Sequence, residues 1–392
     1  MRRDIAFVSP FSIYRKDCAM TDNILVRPVT CRKELKSFIN FPWVIYHRDR
    51  NWVPPLISDQ KTLLDPEKNP FFQHSEVQHY LAYRGSEIVG RISALVNHNY
   101  NEFQGEKTGF FGFYESVNDV NVAQALFAAA ENWLRDKKME RMRGPMNPST
   151  NDTCGLLIDA FNRPPVLMMT YNPPYYVELF KKVGLEKVRD LFAYYMDTSV
   201  PISEKVKRVA DAIRKRHNIT IRSVNVKNFF EELQRVKEVY NDAWSRNWGF
   251  VPMTDAEFDH LAKELKPLLV PELAIFALIE DEPVGFSLSL PDFNKALIKI
   301  NGRLFPFGFA KLLWYSRKID MLRVVIMGVK KKYQKLGIDA VFYYETYVRG
   351  VQQGYTRGEF SWILDNNYPM RHSLENMGAT IYKTYRVYDK VF

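Results

Sequence analysis

Cysteine is scarce in this sequence. Three occur among 392 residues, namely Cys18, Cys31 and Cys154. An odd number without metal-ligand spacing supports neither a disulfide framework nor a zinc site, so we expect a reducing compartment and no bound metal. Cys154 precedes a glycine, but no histidine is near it in the sequence, which argues against a cysteine nucleophile.

Long hydrophobic runs are also missing. No window approaches the roughly 20 uninterrupted apolar residues that a membrane-spanning helix needs. Charged residues interrupt any signal-peptide core within residues 1–20, so we predict a cytoplasmic protein. Met20 is a second candidate start, and we assign residues 1–20 to a flexible tail.

Acidic residues are few in one region of the chain. The net charge is +10, yet residues 1–200 hold 25 Lys and Arg against 23 Asp and Glu, whereas residues 301–350 hold 10 against 3. This concentration predicts an anionic ligand or an anionic membrane surface. The aromatic residues there lie in apolar runs and are not interleaved with the basic ones, as stacking on bases requires, so nucleic acid is a disfavoured partner.

The chain contains an internal repeat. Three segments recur at offsets of 195 or 196 residues, and the ends of the two halves also correspond. The matched pairs are Ile24–Val29 with Ile219–Val224, Asn51–Pro54 with Asn247–Pro252, Ala82–Gly90 with Ala277–Gly285, and Gly184–Asp197 with Gly378–Asp389. A duplicated fold explains these matches, and two unrelated α/β domains are the alternative.

Each half reads as strand, helices, hairpin, strand, helix, strand, helix and strand. Hairpin strands are antiparallel and the later strand-helix-strand units are parallel, so we predict an α/β protein with a mixed sheet (α+β). The expected division is an N-terminal domain at 21–197, a basic amphipathic helical linker at 198–218 and a C-terminal domain at 219–392. We expect two superposable cores with separate sheets.

The halves differ after their central strand. In the first half, Ser116–Asn121 is acidic and lacks glycine, whereas Lys330–Asp339 in the second half carries four lysines and Gly337 ahead of a helix. Unpaired N–H groups at a helix N-terminus, approached closely at a glycine, suit a pyrophosphate. An ordinary strand-to-helix turn with solvated lysines is the alternative. The first half also carries an insertion, Asn147–Tyr176, whose aromatic and methionine residues predict a contact surface.

The spacing Gln334-x-x-Gly337 resembles the acyl-CoA loop of the GNAT (GCN5-related N-acetyltransferase) superfamily. Asp339 departs from that pattern, which has a small residue there. The resemblance implies two tandem GNAT folds, of which only the C-terminal one holds the acyl-CoA loop. It assigns the donor site to the strand end and loop, namely Met327, Val329, Gln334, Lys335, Leu336, Gly337, Ile338 and Asp339.

Nearly the whole chain resembles a bacterial family of tandem-GNAT acyltransferase-like proteins, some of which look like bacterial ceramide synthases. The matching stretches are Trp52–Pro55, Lys68–Phe72, Gly109–Phe113, Asn172–Tyr176 and Glu359–Trp362. The resemblance implies an N-acyltransferase that takes an acyl group from acyl-CoA or an acyl carrier protein thioester. The acceptor it implies is an amine such as a sphingoid base.

GNAT chemistry needs a base for the acceptor ammonium and an acid for the leaving thiolate. The tyrosine that the family usually has four residues before the helix-ending glycine is Leu374 here. Candidate replacements are Tyr368, His372 and Tyr385 for the acid, and Glu359 or Glu115 for the base. Asn151 or Asn367 is expected to position the acceptor.

A lipid substrate is favoured by the apolar segment Leu304–Tyr315, which contains Phe307 and Trp314 and has basic flanks. Its length is too short to span a bilayer, but it suits an interfacial or acyl-chain-lining segment and peripheral contact with the inner face of the membrane. A core helix is the alternative.

Two other functions share parts of this pattern. Leu374 and Asp339 would fit a catalytically silent acyl-CoA-binding protein. A Fem-type transferase that uses aminoacyl-tRNA is also basic and has a tandem GNAT fold, but the Gln334/Gly337 loop and the lack of an obvious long helical arm argue against it.

Overall fold

The computed structural model describes residues 23–199 and 201–392. The predicted tail at 1–20, with Cys18 and Met20, lies outside these ranges. The first-half strands are β1 (Ile24–Pro28), β2 (Ser75–Arg84), β3 (Glu87–Asn97), β4 (Thr108–Ser116), β5 (Arg141–Gly144), β6 (Met146–Asn147), β7 (Thr153–Cys154), β8 (Leu156–Leu157) and β9 (Glu186–Asp197). Its helices are α1 (Arg32–Asn40), α2 (Pro42–Ile45), α3 (Ile57–Leu63), α4 (His98–Gln104), α5 (Val120–Asp136) and α6 (Tyr175–Lys182).

The second half repeats this order after helix α7 (Glu204–Arg216). Its strands are β10 (Thr220–Ser223), β11 (Ala274–Ile279), β12 (Glu282–Pro291), β13 (Met321–Val329), β14 (Arg357–Leu364) and β15 (Thr380–Val391). Its helices are α8 (Phe229–Trp244), α9 (Asp255–Leu265), α10 (Asn294–Leu297), α11 (Gly308–Ser316), α12 (Ile338–Gln352) and α13 (Tyr368–Asn376).

The two halves share one mixed sheet. Its main path runs β1-β2-β3-β4-β5-β15-β9-β14-β13-β12-β11-β10, and β8 pairs with β15 as a thirteenth strand. The order is the same when read from either end, with each half's strands in equivalent places. The registers also match, since Gly90 faces Ser116 in the first half and Gly285 faces Val329 in the second. The mixed sheet and the duplication are confirmed.

The expectation of two separate sheets is wrong, because the halves exchange their last strands. The final strand of the first half, β9, pairs with β14, and the final strand of the second half, β15, pairs with β5. The two exchanged strands also pair with each other along almost their whole length. The edge of β5 is therefore covered by a strand of the second half, and the edge of β14 is covered by a strand of the first half.

Helices cover both faces of the sheet, because adjacent residues on a strand point to opposite sides. On β2, Leu81 packs with α1 and Ala82 packs with α5. On β11, Phe276 packs with α8 and Ala277 packs with α12. The predicted linker contains α7, which packs on α12 through its buried Ala210 face and an ion pair of 2.8 Å between Arg214 and Glu345.

The apolar segment at 304–315 is not a core helix. Its second part forms α11, and its large side chains are exposed, with Phe305 at 85% and Phe307 at 73% of full exposure. Within the described ranges, no helix is long and apolar enough to cross a membrane.

Candidate active site

The two central strands of the second half separate partway along their length. β13 and β14 pair in parallel only from Met321 with Arg357 to Val324 with Phe360. Beyond this point β13 remains paired with β12 and β14 with β9, so the strands diverge. Between the diverging segments, β13 and β14 no longer pair with each other, although the carbonyl of Ser361 accepts a bond from Arg323. We call this opening the strand gap.

A cavity of about 750 Å³ lies at the strand gap and extends below α8 and α9. Its volume is in the range of small-molecule and cofactor sites. The wall near the gap is polar and includes Asn151, Asp152, Arg323, Ser361 and Asp339. The wall formed by α8 and α9 is apolar and includes Phe229, Leu233, Val236, Leu261 and Leu265. The site can therefore hold a ligand with one polar and one long apolar part.

The predicted acyl-CoA loop connects β13 to α12 beside this cavity. A 3-10 turn covers Lys331–Leu336, and Gly337 adopts a left-handed conformation with φ of 77° just before the helix. That conformation favours glycine because it has no Cβ. Gln334 holds the turn against the strand by donating to the carbonyl of Val329 over 3.2 Å.

The loop lysines differ in their partners. Lys330 lies 3.2 Å from the carboxylate of Glu282, and the backbone N–H of Lys331 donates to Asp242. The side chains of Lys331, Lys332 and Lys335 form no salt bridge within the described part of the chain. These three cations therefore remain available to an anionic ligand.

The predicted donor residues divide into two groups. Met327, Val329, Gln334 and Asp339 line the cavity, whereas Lys335, Leu336, Gly337 and Ile338 form the backbone of the loop behind the wall. Asp339 stands in the first turn of α12, where burial raises the pKa of its carboxyl group. The departure from the GNAT pattern at this position thus places an acidic residue in the cavity wall.

Glu359, the first candidate base, is fully buried on β14. Both of its carboxylate oxygens accept hydrogen bonds, one from the hydroxyl of Ser361 and one from the hydroxyl of Tyr382. Ser361 in turn accepts a 2.9 Å bond from the guanidinium of Arg323, which also donates to the carbonyl of Leu167. Since Ser361 and Arg323 line the cavity, Glu359 lies one hydrogen bond behind its wall.

Two further buried ions hold the first-half insertion against this network. Lys383 donates to the carbonyl of Pro164 over 2.6 Å, and its burial lowers the ammonium pKa to about 8. Asp292 accepts from the backbone N–H of Leu167 over 2.8 Å, and burial raises its pKa to about 6. The insertion is therefore a contact surface between the halves, as predicted.

The other catalytic candidates lie away from the cavity. Tyr385 is fully buried behind the wall, and Tyr368 is 69% exposed on α13, where His372 is exposed as well. Glu115 is largely buried in the first half, where it accepts hydrogen bonds from Tyr46 over 2.9 Å and Tyr176 over 2.7 Å. Burial raises the pKa of Glu115 to about 7.

The predicted acceptor-side residues also separate. Asn151 and Asn367 line the cavity, whereas Phe307 and Trp314 lie on the exposed surface around α11. The side chain of Asn151 is already engaged, since it accepts a 3.0 Å bond from the hydroxyl of Tyr240 and donates to the carbonyl of Val251. Asn367 caps α13.

The equivalent gap in the first half is filled by the chain itself. β4 and β5 also stop pairing after Phe110 and Arg143. The side chain of Asn147 then accepts a 2.6 Å bond from the backbone N–H of Phe113. A Cβ on Gly112 would lie only 1.7 Å from the carbonyl oxygen of Met146. We call this filling segment, Met146–Asn147, the plug; it leaves no room for a ligand between these strands.

Sequence reasoning missed Arg323, Asp152 and Tyr343, which all line the cavity. A charged residue inside the apolar run of β13 was the available signal for Arg323, because arginine is rarely buried without a polar partner. Asp152 accepts a 2.7 Å bond from the hydroxyl of Ser149, and burial raises its pKa to about 7. Its neighbour Cys154 is buried, which raises the thiol pKa to about 12.

No protein-family model matches the chain. The bacterial ceramide synthase of Caulobacter vibrioides is 39% identical over 379 residues, covering 94% of this chain and 97% of that protein. Protein YghO of Escherichia coli is 38% identical over 374 residues, covering 93% of this chain and 95% of that protein.

Solved structures with the same fold are more distant in sequence. A tandem GNAT protein from the clavulanic acid biosynthesis pathway superposes with a TM-score of 0.56 at 10% identity, covering 94% of this chain and 98% of that one. A GCN5-related N-acetyltransferase from Sphaerobacter thermophilus gives 0.52 at 14% identity, covering 95% and 96%. With its tandem GNAT fold, this chain is an acyltransferase and belongs to the family of the bacterial ceramide synthase and Protein YghO.

Proposed function

We propose that this chain transfers a fatty acyl group from a thioester to the amine of a long-chain lipid, such as a sphingoid base. The observation that carries the proposal is the cavity at the strand gap, which has a polar wall beside the loop and an apolar wall under α8 and α9. Apolar lining of this kind holds alkyl chains, and the few polar groups orient the reacting ends. The name of the C. vibrioides relative supports the same substrate class.

The donor we propose is acyl-CoA, with an acyl carrier protein thioester as the other source of the same chemistry. The left-handed Gly337, the helix N-terminus of α12 and the free lysines of the loop fit a pyrophosphate or phosphate group. The carboxylate of Asp339 opposes such an anion, and burial raises its pKa.

We assign the donor site to the second half alone, in accordance with the predicted division into residues 21–197, 198–218 and 219–392. The support is the asymmetry of the two gaps, since one opens into the cavity and the other is occupied by the plug. In this arrangement the first half contributes the insertion that closes one side of the acceptor site, through Asn151 and Asp152.

Peripheral contact with the inner face of the cytoplasmic membrane is part of the proposal. The exposed apolar residues around α11 include Phe305, Phe307 and Trp314. Between positions 298 and 319 the chain has no acidic residue and five basic ones, namely Lys299, Arg303, Lys311, Arg317 and Lys318. Apolar side chains with basic neighbours suit the interface of an anionic bilayer, from which lipid substrates would be drawn.

The test is a transfer assay with the purified protein. Palmitoyl-CoA and sphinganine are mixed with the protein, and the N-acyl product and the released thiol are measured together. We expect equal amounts of both, little product when acetyl-CoA replaces palmitoyl-CoA, and none when glucosamine replaces sphinganine. The proposal would be contradicted if the protein binds palmitoyl-CoA tightly but releases no thiol with every long-chain amine tried.

A further inference from the structure

The hydroxyl group of Tyr343 has no hydrogen-bond partner in the part of the chain that the structure describes. The residue lies in the second turn of α12, is 1% exposed and contributes to the cavity wall. Among the described residues, no donor or acceptor is within hydrogen-bonding distance of its hydroxyl. Buried hydroxyl groups normally have a partner, so an unpartnered one in the wall of the cavity is free to bond a group that enters there.

The position of the ring places this hydroxyl group at the point where the strands separate. Tyr343 packs in one cluster with Val324 and Phe360, which are the last paired residues of β13 and β14, and its ring centroid is 5.9 Å from that of Phe360. Leu374 of α13 is fully buried in the same cluster and offers no proton. A thioester that enters the strand gap beside the loop would thus meet the phenol near its reacting atoms.

We propose that Tyr343 is the general acid of the acyl transfer, donating its phenolic proton to the departing sulfur. The inference rests on the proposed function. Burial and the nearby carboxyl group of Asp339 raise the pKa of Tyr343, so the phenol is protonated at neutral pH. The same burial opposes proton donation, so the phenolate is only transient and is quickly reprotonated once the thiol has formed.

The step balances without a further reactant. The amine nitrogen forms a bond to the acyl carbon, and the carbon–sulfur bond breaks with its electron pair going to sulfur. Sulfur takes the proton of Tyr343 and leaves as a free thiol. The nitrogen releases one proton to solvent, the phenolate recovers one from solvent, and the products are one amide and one thiol.

The test compares Tyr343→Phe with Tyr347→Phe, a control on the same helix that packs on the same cluster but does not line the cavity. With palmitoyl-CoA we expect Tyr343→Phe to lose about a hundredfold in turnover, the usual range for a general acid. Its affinity for palmitoyl-CoA should fall by less than about tenfold, since the variant loses at most one hydrogen bond between neutral groups, so the larger loss should appear in turnover. Tyr347→Phe should resemble wild type.

The decisive measurement is the rate of transfer from a second donor, the nitrothiophenyl thioester of palmitate. Its thiolate leaves without needing a proton. We expect Tyr343→Phe and wild type to use this donor at equal rates. An equal loss with both donors, or full activity with palmitoyl-CoA, would overturn the assignment. If wild type itself forms no amide from any long-chain amine, the proposed function fails, whereas an active wild type with an equally active Tyr343→Phe rejects only this inference.

Discussion

At the scale of single residues, the cavity wall and the buried polar network behind it contain groups whose ionisation differs from that in water. Burial raises the pKa of Asp152 to about 7 and that of Asp292 to about 6, and lowers that of Lys383 to about 8. Such pKa shifts cluster at functional sites, because burial and neighbouring charges adjust the pKa values of catalytic groups to their task. The polar wall of the cavity therefore costs stability, and that cost should depend on pH.

Asp152 offers a direct measurement of this cost. Its carboxyl group has an ordinary pKa of 3.8 and a native pKa of about 7, so between these values the native state holds a proton that the unfolded chain has released. The free energy of unfolding must then fall as pH rises across this window, by up to about 1.4 kcal/mol per pH unit. In Asp152→Asn this fall in the free energy of unfolding is absent, because the amide does not titrate.

We predict that the stability of Asp152→Asn relative to wild type increases between about pH 4 and pH 7 and is constant above. Urea unfolding of both proteins at several pH values measures the difference. Glu115 and Asp292 titrate in both proteins and cancel in the comparison. A difference that does not change with pH would show that Asp152 is not protonated in the native state.

Only some of the residues that form this site could be predicted from the sequence. Gln334 and Asp339 could be placed beside the cavity because loop and helix spacing is local, and the assignment of the loop to the donor stays a prediction. Asp152 and Tyr343 could not be placed there, because their importance depends on which segments meet at the strand gap. Asp152 comes from an insertion in the first half, and the gap belongs to the second.

At the scale of elements, α8 and α9 are expected to set the length of the acyl chain. Ala262 of α9 lines the cavity, whereas the next residue, Lys263, is exposed. The phenyl ring of Ala262→Phe should fill part of the cavity beside the apolar wall. Turnover with palmitoyl-CoA should fall at least about tenfold, because overpacking and the lost burial of the acyl chain each cost over 1 kcal/mol. Activity with shorter acyl-CoA donors should be retained.

The control is Lys263→Phe, which adds the same ring one position away and outside the cavity. Initial rates across a series of donor lengths give the comparison. Equal losses for all donor lengths in Ala262→Phe, or the same length profile in both variants, would contradict the assignment of this wall to the acyl chain.

The segment around α11 gives a separate prediction about membranes. Phe307 and Phe230 are each 73% exposed, but Phe230 lies on α8. Phe307→Ser should weaken binding to phosphatidylglycerol vesicles by about tenfold, since burying a phenylalanine side chain contributes about 1.5–3 kcal/mol. Phe230→Ser should bind as wild type does. Vesicle co-sedimentation measures both, and wild-type protein that binds neither anionic nor neutral vesicles would reject membrane contact.

The order of the elements was predictable, but two features of their arrangement were not. The repeated segments correspond to β1 with β10, the hairpin β2-β3 with β11-β12, and β9 with β15. Their alternating patterns identify strands without specifying partners, so the exchange of β9 and β15 could not be read locally. The plug depends on Asn147 meeting Phe113, a contact between segments 34 residues apart.

At the scale of the whole molecule, the exchanged strands make each half depend on the other. Without residues 219–392, the edge of β5 loses β15, and without residues 21–197 the edge of β14 loses β9. An unpaired central edge exposes backbone groups and apolar surface. The division of the chain at these positions stays a prediction, and fragments test it together with the exchange.

We predict that residues 21–197 and residues 219–392 are each insoluble or unfolded when expressed alone, and form a folded complex when co-expressed. Circular dichroism and size-exclusion chromatography of the fragments provide the measurement. A single fragment with native secondary structure and a cooperative unfolding transition would contradict the dependence.

The central claim is that one chain binds one acyl thioester, at the strand gap of the second half. Titration calorimetry with palmitoyl-CoA tests it on wild type, Gly337→Val and Gly354→Val. Gly354→Val is the control for backbone strain, because Gly354 lies at the opposite end of α12 with a φ of 86° and no atom within 4 Å of its would-be Cβ, whereas a Cβ on Gly337 would also lie 2.9 Å from Cδ1 of Ile213. We predict one site per chain in wild type and in Gly354→Val, and affinity at least about tenfold weaker in Gly337→Val, because lost phosphate hydrogen bonds contribute about 1.5–3 kcal/mol each. Two sites per chain, or unchanged affinity in folded Gly337→Val, would contradict the account.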